Sequence, residues 1–223
     1  MTTNLIFRAA TKFFLGVLVT GMLIFIPAGT IRFYNGWLLM GILFFPMLVA
    51  GLVLAVKNPR LLEKRLNAKE KRKEQNLVVK LSGLMFVAGF ILGGLNFRFN
   101  WIPLPTAVVH GSAGVFLVGY GLYAEVLREN TYLSRTVEVQ VGQRVIDTGL
   151  YGIVRHPMYS ATVLLFLSIP LVLGSILSFG IFLFYLPIIA MRIKNEEALL
   201  RNELLGYIQY CEKVRYRLVP FVW

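Results

Sequence analysis

The chain has 223 residues, of which 57% are hydrophobic and 15% are charged. A soluble domain carries about 25% charged residues, so the composition excludes an ordinary soluble protein. The net charge of +12 is typical of a nucleic-acid-binding protein, but the basic residues lie between long apolar runs, which indicates orientation in a membrane. Cys211 is the only cysteine, so a disulfide framework and a cysteine metal site are excluded within one chain. We expect no metal and no nucleic-acid partner.

Five charge-free runs follow one another along the chain. They cover residues 13–31, 33–56, 81–97, 99–124 and 157–191. A helix needs about 20 apolar residues to cross a bilayer, and each of the first four runs suits one crossing. The fifth is too long for one straight span, and Pro170 and Gly174-Ser175 near its middle predict a helical hairpin. The sequence therefore predicts an all-α integral membrane protein with six membrane segments, four spans and a C-terminal hairpin.

The positions of lysine and arginine predict how these segments are oriented. With the N-terminus in the cytoplasm, only Arg32 and Arg98 among the basic residues fall on the outer side. We therefore expect a multi-pass protein with both termini in the cytoplasm. The basic cytoplasmic loop 57–80 is suited to contact anionic membrane lipids. Gly89 and Gly93 form a GxxxG pattern in the third span, which favours either dimerisation or close packing within the chain.

Two polar blocks, 128–159 and 192–223, flank the predicted hairpin. The hairpin would bring them together at the membrane face, so we divide the chain into N-terminal transmembrane helices, residues 1–127, and a region 128–223 that carries a candidate site. In the first block Asp147-Thr148-Gly149 is a turn signature, since glycine adopts positive φ easily. Arg155, His156 and Tyr159 follow where the chain enters the membrane, with Pro157 in the first helical turn.

The second block continues the last membrane helix. Arg192 and Glu196 lie four residues apart, as do Glu197 and Arg201, and such spacing on its own indicates ordinary ion pairs along a helix. Apolar residues also recur at helical spacing, which predicts one buried helical face. This face comprises Ile193, Leu200, Leu204, Ile208 and Cys211.

Together the two blocks resemble the isoprenylcysteine carboxyl methyltransferase family and its phospholipid methyltransferase relatives, over roughly residues 130–220. The resemblance rests on Gly149-x-Tyr151-x-x-x-Arg155-His156-Pro157-x-Tyr159, on Arg192-x-x-x-Glu196-Glu197, and on Gly206-Tyr207 with Tyr210. It implies a cytoplasmic pocket for S-adenosylmethionine and a lipid-linked substrate that enters from the bilayer. The cofactor contacts that it implies are Gln143, Arg144, Val145, Ile146, Tyr151, His156, Pro157, Met158, Tyr159 and Glu196. Arg192 corresponds to the substrate position, and Ser134 matches a further cofactor contact weakly.

The resemblance leaves the methyl acceptor open. A prenylcysteine carboxylate, a phospholipid amine or another amphiphile would suit a site that opens to the bilayer. Arg192 could hold a carboxylate by a charge-assisted pair, whereas an amine would need a base such as Glu196 or Glu197. We take Arg192 and Glu196 as the candidate catalytic residues.

Two other classes of function compete with this interpretation. A membrane NADPH-dependent reductase of the sterol-reductase kind would need basic residues for the 2′-phosphate, and Arg155, Arg215 and Arg217 are available. A transporter or scaffold would favour polar residues within the spans or an inverted repeat, and the sequence has neither.

Overall fold

The computed structural model describes residues 2–66, 73–133 and 137–223, and within these ranges the chain forms helices and no strand. The prediction of an all-α protein is confirmed for this part of the chain. Its α-helices are α1 (Thr2–Ala28), α2 (Tyr34–Lys57), α3 (Pro59–Leu66), α4 (Lys73–Phe99), α5 (Thr106–Glu129), α6 (Pro157–Val172), α7 (Ile176–Phe182), α8 (Tyr185–Glu203) and α9 (Tyr207–Lys213). A short 3₁₀ helix covers Gly149–Gly152.

Five helical stretches are long and apolar enough to cross a membrane, which supports an integral membrane protein. They are Asn4–Ala28, Tyr34–Lys57, Gln75–Phe99, Thr106–Glu129 and Ile176–Glu203, the last formed by α7 and α8 together. The first leg of the predicted hairpin is α6, which has 16 residues and is shorter than the roughly 20 that a full crossing needs. The count of six membrane segments therefore stays a prediction.

The turn between α6 and α7 lies where the sequence predicts the hairpin to break. Gly174 has a φ of 75°, which a residue with a side chain rarely adopts. Asn96 of α4 donates a hydrogen bond to the Gly174 carbonyl at 3.4 Å. The Ser175 hydroxyl accepts a hydrogen bond from the Ser178 N–H at 3.1 Å and caps α7. The break is thus stabilised both locally and by a neighbouring helix.

Close packing within the chain explains the GxxxG pattern of α4. This helix lies against α1, α7 and α8, while α5 packs along α6. A Cβ atom added to Gly89 would lie 2.2 Å from the Phe182 ring, and one added to Gly93 would lie 2.8 Å from the Leu173 side chain. Larger residues at either position would push α4 away from the hairpin. Of the two alternatives for these glycines, the contacts support packing within the chain.

The two ends of the helical bundle differ in charge. Lys12, in the first half of α1, donates a hydrogen bond to the carbonyl of the last residue of α3, and Arg192 of α8 reaches Gln75 of α4 at 3.3 Å. These contacts place the basic segments at one end. Arg98 lies beside Gly29, 3.3 Å from the position of a Cβ atom there, and both belong to the opposite end. The end that faces the cytoplasm is not determined by these contacts and remains a prediction.

The segment predicted as a basic loop, residues 57–80, is partly helical. The chain leaves α2 at Asn58-Pro59 and enters α3 at once, with Leu61 and Leu62 buried against the protein. Residues 73–80 already belong to α4. The rest of this segment, and Ser134, lie outside the described residues.

The prediction of one buried helical face across the second polar block is wrong. α8 ends at Glu203, and Gly206 takes a φ of 85° before α9 begins. Ile193 and Leu204 are buried, but Ile208 is 51% exposed. The left-handed residue changes the direction of the helix axis, so the spacing of apolar residues no longer defines a single face.

Candidate functional site

A cavity lies where α6 and α8 meet the polar segment that follows α5. Its empty volume is ≈ 870 Å³, counting the part that is open to solvent. Every described residue that the sequence predicts as a site residue lines it, with one exception. These residues are Gln143, Arg144, Val145, Ile146, Tyr151, His156, Met158, Tyr159, Arg192 and Glu196. The exception is Pro157, which is buried at the start of α6 and fixes its first turn.

A hydrogen-bonded chain of side chains runs along one wall of the cavity. Arg192 Nε donates to the Tyr159 hydroxyl at 2.9 Å, and this hydroxyl donates to Glu196 Oε2 at 2.5 Å. Arg192 Nη1 also donates to Gln75 Oε1 at 3.3 Å. We call Gln75, Arg192, Tyr159 and Glu196 the cavity chain. Because Tyr159 joins the guanidinium to the carboxylate, the two candidate catalytic residues are held in a defined relative position.

Behind this wall lies a buried ion cluster centred on Glu197. Its Oε1 accepts a hydrogen bond from Arg155 Nε at 2.7 Å and lies 3.3 Å from His156 Nε2, and its Oε2 accepts one from Arg217 Nε at 2.9 Å. The side chains of Arg155 and Glu197 are only 5% and 4% exposed. A buried charge is tolerated only when it is paired, and here each charge has its partner. The helical spacing predicts an ion pair between Glu197 and Arg201, and this prediction is wrong because Glu197 is paired with Arg155, His156 and Arg217 instead.

The ion cluster also ties the C-terminal segment to the start of α6. Arg155 Nη1 donates to the Val214 and Arg215 carbonyls, each at 2.8 Å. The backbone N–H groups of Arg155 and His156 donate to the Tyr216 and Arg217 carbonyls, each at 2.9 Å. The two polar blocks that flank the hairpin in the sequence are therefore in direct contact.

The turn that carries Tyr151 is held by close approach to α5. Gly149 has a φ of 51°, and a Cβ atom there would lie 1.4 Å from Glu129 Oε1. Glu129 Oε2 accepts a hydrogen bond from the Leu150 N–H at 3.1 Å. The Tyr151 hydroxyl accepts a hydrogen bond from Asn130 Nδ2 at 2.8 Å. Burial raises the pKa of Tyr151, so its phenol stays neutral and serves as a hydrogen-bonding group.

Another part of the lining is apolar and aromatic. It is formed by a cluster of Leu204, Tyr207, Tyr210 and Val214 with Val139, Val145, Leu200 and Cys211 packed around it. We call this cluster the apolar wall; Val145, Leu200, Leu204, Tyr207 and Tyr210 are its members that line the cavity. The cavity thus combines charged groups with an aromatic surface, as pockets for small molecules usually do.

Sequence reasoning did not single out three side chains that the geometry makes prominent. The sequence predicts Glu197 only as a helix ion pair or a possible base, and Tyr207 only as part of a motif. Gln75 carries no signal in the sequence, because it follows a run of charged residues that suggests a solvated surface. In the structure Gln75 is 1% exposed. Its Nε2 atom and the Tyr207 hydroxyl are buried without a hydrogen-bond partner among the residues that the structure describes.

Part of the chain is similar in sequence to known membrane enzymes. The model of the family described as phospholipid methyltransferase matches residues 108–204. Over 91 residues the chain is 28% identical to the Delta(14)-sterol reductase TM7SF2 of Mus musculus. That alignment covers 40% of this chain and 22% of the reductase, so the matched stretch spans about a fifth of that relative's length. The resemblance to the phospholipid methyltransferases, a family of membrane methyltransferases, is confirmed by this match, which covers α6 to α8 and all but the first two residues of α5.

Proposed function

We propose that this chain transfers a methyl group from S-adenosylmethionine to the carboxylate of a lipid-like substrate, such as a prenylcysteine. The observation that carries the proposal is the cavity chain, in which Arg192, Tyr159 and Glu196 are linked on the wall of one cavity. The match to the phospholipid methyltransferases supports the reaction class. The carboxylate as acceptor follows from the arginine and from the resemblance.

The residues around the cavity suit the proposed cofactor. When bound, S-adenosylmethionine would supply an electrophilic methyl group on a positively charged sulfur. Glu196 can accept hydrogen bonds from an ammonium group or a ribose hydroxyl. The ring of His156 stacks on that of Tyr159, with centroids 5.7 Å apart, and this pair offers aromatic surface to a cation or a base. The apolar wall gives the remaining part of the cavity an apolar surface.

Arg192 is suited to hold an anionic acceptor. Tyr159 and Gln75 both accept hydrogen bonds from its guanidinium, which fixes its orientation. A substrate carboxylate carries no proton at neutral pH, so this chain would need no general base to activate it. The task of the protein is then to align the acceptor and to keep the cavity dry, which is catalysis by proximity.

We place the cavity on the cytoplasmic face of the membrane. It lies at the end of the bundle that carries the basic segments, and basic residues concentrate on the cytoplasmic side of membrane proteins. The lipid-like substrate would then enter from the bilayer between the helices, while the water-soluble cofactor would enter from the cytoplasm.

The second candidate is an NADPH-dependent reductase, which the similarity to the sterol reductase favours. It would need basic side chains for the 2′-phosphate. Arg155 and Arg217 both bind Glu197, and the Arg155 side chain is buried. Two of the three arginines expected for that role are therefore engaged within the protein, which favours the methyltransferase.

Ligand-dependent unfolding separates these two candidates. We expect S-adenosylhomocysteine to raise the unfolding temperature of the protein in mild detergent, because a ligand at a hundredfold excess over its Kd adds about 2.7 kcal/mol of stability. NADPH should produce no shift. A shift with NADPH alone would replace the methyltransferase proposal by the reductase.

Methyl transfer in a labelled-methyl assay tests the role of Arg192. Lipid-linked carboxylates and lipid-linked amines are offered separately, and we expect transfer to the carboxylates. Arg192→Ala should lower kcat/KM about 10- to 100-fold, the range expected for a lost charged hydrogen bond. Arg201→Ala is the matched control, since Arg201 is exposed on the same helix. Transfer to amines alone, or equal activity of the two variants, would refute the carboxylate clamp.

A further inference from the structure

Two polar contacts reach the candidate site from outside the region that matches the family model. That match begins at residue 108. Lys64, in the short helix α3, donates a hydrogen bond from Nζ to Gln140 Oε1 at 2.5 Å. Gln75, near the start of α4, accepts a hydrogen bond at Oε1 from Arg192 Nη1 at 3.3 Å. The first contact ends on the first polar block, and the second contact ends on the second block.

Helix α3 is fixed to two other helices. Its last residue, Leu66, accepts a hydrogen bond at its carbonyl from Lys12 of α1. The guanidinium group of Arg65 lies over the ring of Tyr123 in α5, 5.4 Å from the ring centroid. Two leucines of α3 are also buried against the protein. Because of these contacts with α1 and α5, the Lys64 side chain starts from a defined position beside the site.

Gln140 connects Lys64 to the lining of the cavity. Its Nε2 atom donates a hydrogen bond to the Tyr132 carbonyl, and its backbone N–H donates one to Gln143 Oε1 at 2.9 Å. Both Tyr132 and Gln143 line the cavity. A carboxamide whose oxygen accepts from one group and whose nitrogen donates to another has a single orientation. Lys64 therefore helps to determine where this part of the cavity wall lies.

Gln75 occupies a core position of α4. It is 1% exposed, and Val78 and Met85, which follow it at helical spacing, are buried as well. Its Nε2 atom has no hydrogen-bond partner among the described residues. A methionine would fill the same position without burying an unpaired amide, so packing does not require glutamine here. What the glutamine adds is the hydrogen bond to Arg192, which orients the guanidinium together with Tyr159.

We propose that Lys64 and Gln75 are positioning residues of the site, one for each of its two ligands. Lys64 holds the wall segment that carries Gln143, and Gln75 holds Arg192. The inference rests on the proposed function, in which S-adenosylmethionine occupies the cavity and Arg192 binds the carboxylate acceptor. Neither residue touches a ligand in this proposal. The segment between α2 and α4 thereby becomes part of the enzyme site.

The test measures both ligands in two variants. Lys64→Met removes the donor and Gln75→Met removes the acceptor, each with a side chain of similar length. Lys64→Met should bind S-adenosylhomocysteine about 3- to 10-fold more weakly, the value of one hydrogen bond, with an unchanged KM for an N-acetylated S-prenylcysteine. Gln75→Met should raise that KM by a similar factor and leave the Kd for S-adenosylhomocysteine unchanged. Its unfolding temperature should not fall, because the unpaired amide is removed.

Neighbouring residues provide matched controls. Arg60→Met removes an exposed charge from α3, and Asn76→Met changes the partly exposed residue next to Gln75, so both should leave the two constants unchanged. Lys64→Arg keeps a donor and should retain affinity for S-adenosylhomocysteine. Combining Lys64→Met with Gln140→Leu should weaken that affinity no more than the larger single effect, because the two residues act through one contact. Additive losses would overturn the role of Lys64.

The pattern across the two ligands distinguishes positioning from a general structural role. A structural role predicts a lower unfolding temperature and equal losses for both ligands in each variant, and this outcome would overturn the proposal. If the parent protein binds S-adenosylhomocysteine and methylates the prenylcysteine, and neither variant changes its constant, only this inference fails. If the parent protein does neither, the proposed function fails with it.

Discussion

The ion cluster and the cavity chain use neighbouring residues of α8 in opposite ways. Glu197 is buried and contacts three basic side chains, from two distant segments of the chain. Glu196 faces the cavity and accepts a hydrogen bond from Tyr159. Successive residues of a helix point about 100° apart, so one carboxylate joins the backbone segments behind the wall while the other remains accessible to a ligand. The direction of each side chain thus separates two adjacent, identical residues: Glu197 holds segments of the protein together, and Glu196 is the one that the proposed function uses for binding.

The largest expected effect tests the role of Glu197 in stability. Glu197→Gln removes the charge that compensates Arg155 and Arg217, and breaking a buried ion pair by removing one partner costs about 3–5 kcal/mol. The variant should unfold at a clearly lower temperature in detergent, or fail to accumulate as folded protein. Glu196→Gln is the matched control and should retain most of the stability. Equal unfolding temperatures for the two variants would contradict the division of roles.

The turn that carries Tyr151 provides a second test of which contacts stabilise the fold. Gly149→Ala places a Cβ atom against Glu129 and in a positive-φ conformation, so it should cost more than the roughly 1–2 kcal/mol that a left-handed residue costs by itself. Gly142→Ala is the matched control, because Gly142 also has a positive φ, of 74°, but nothing lies within 4 Å of its Cβ position. Thermal unfolding of both variants measures the difference. A loss for Gly149→Ala no greater than that for Gly142→Ala would refute the close approach.

Substitution of Glu196 in the cavity chain should lower ligand affinity without a comparable loss of stability. Glu196→Gln should weaken S-adenosylhomocysteine binding about 10- to 100-fold, since a hydrogen bond to a charged group contributes about 1.5–3 kcal/mol. Calorimetric titration of the detergent-solubilised protein gives the Kd, and the unfolding temperature without ligand is the control. Unchanged affinity would show that Glu196 only orients Tyr159.

The smallest effect concerns an exposed ion pair outside both regions. The hydrogen bond from Lys213 at 2.6 Å lowers the pKa of the Asp147 carboxyl. A lowered pKa in the folded state gives stability above the ordinary pKa of aspartate, and this stability is lost as the pH falls through the folded value. Asp147→Asn should therefore lower the unfolding temperature slightly at neutral pH and not at acid pH, and added salt should reduce the difference. A difference that persists in acid would have another cause.

Much of the fold could be predicted from local features of the sequence. The break at Gly174-Ser175, the stop at Asn58-Pro59 and the positive φ of Gly149 all follow from residues whose conformational preferences are local. The length of α6 could not be predicted, because the apolar run continues through the turn into α7 without a change in composition. The break at Gly206 could not be predicted for a similar reason, because the apolar residues on both sides of it keep helical spacing.

The sequence by itself determined that this protein is helical, that it has apolar helices long enough to cross a membrane, and ten of the residues that border the cavity. Hydrophobic run length and the motif around His156 carry that information. Only the tertiary structure decided which acidic residue is buried, because Glu197 takes its partners from Arg155, 42 positions earlier, and Arg217, 20 positions later. It alone revealed that Gln75 Nε2 and the Tyr207 hydroxyl are buried without a hydrogen-bond partner among the described residues. Hydrogen bonding depends on distances between segments that meet only when the helices pack, and no local pattern encodes those distances.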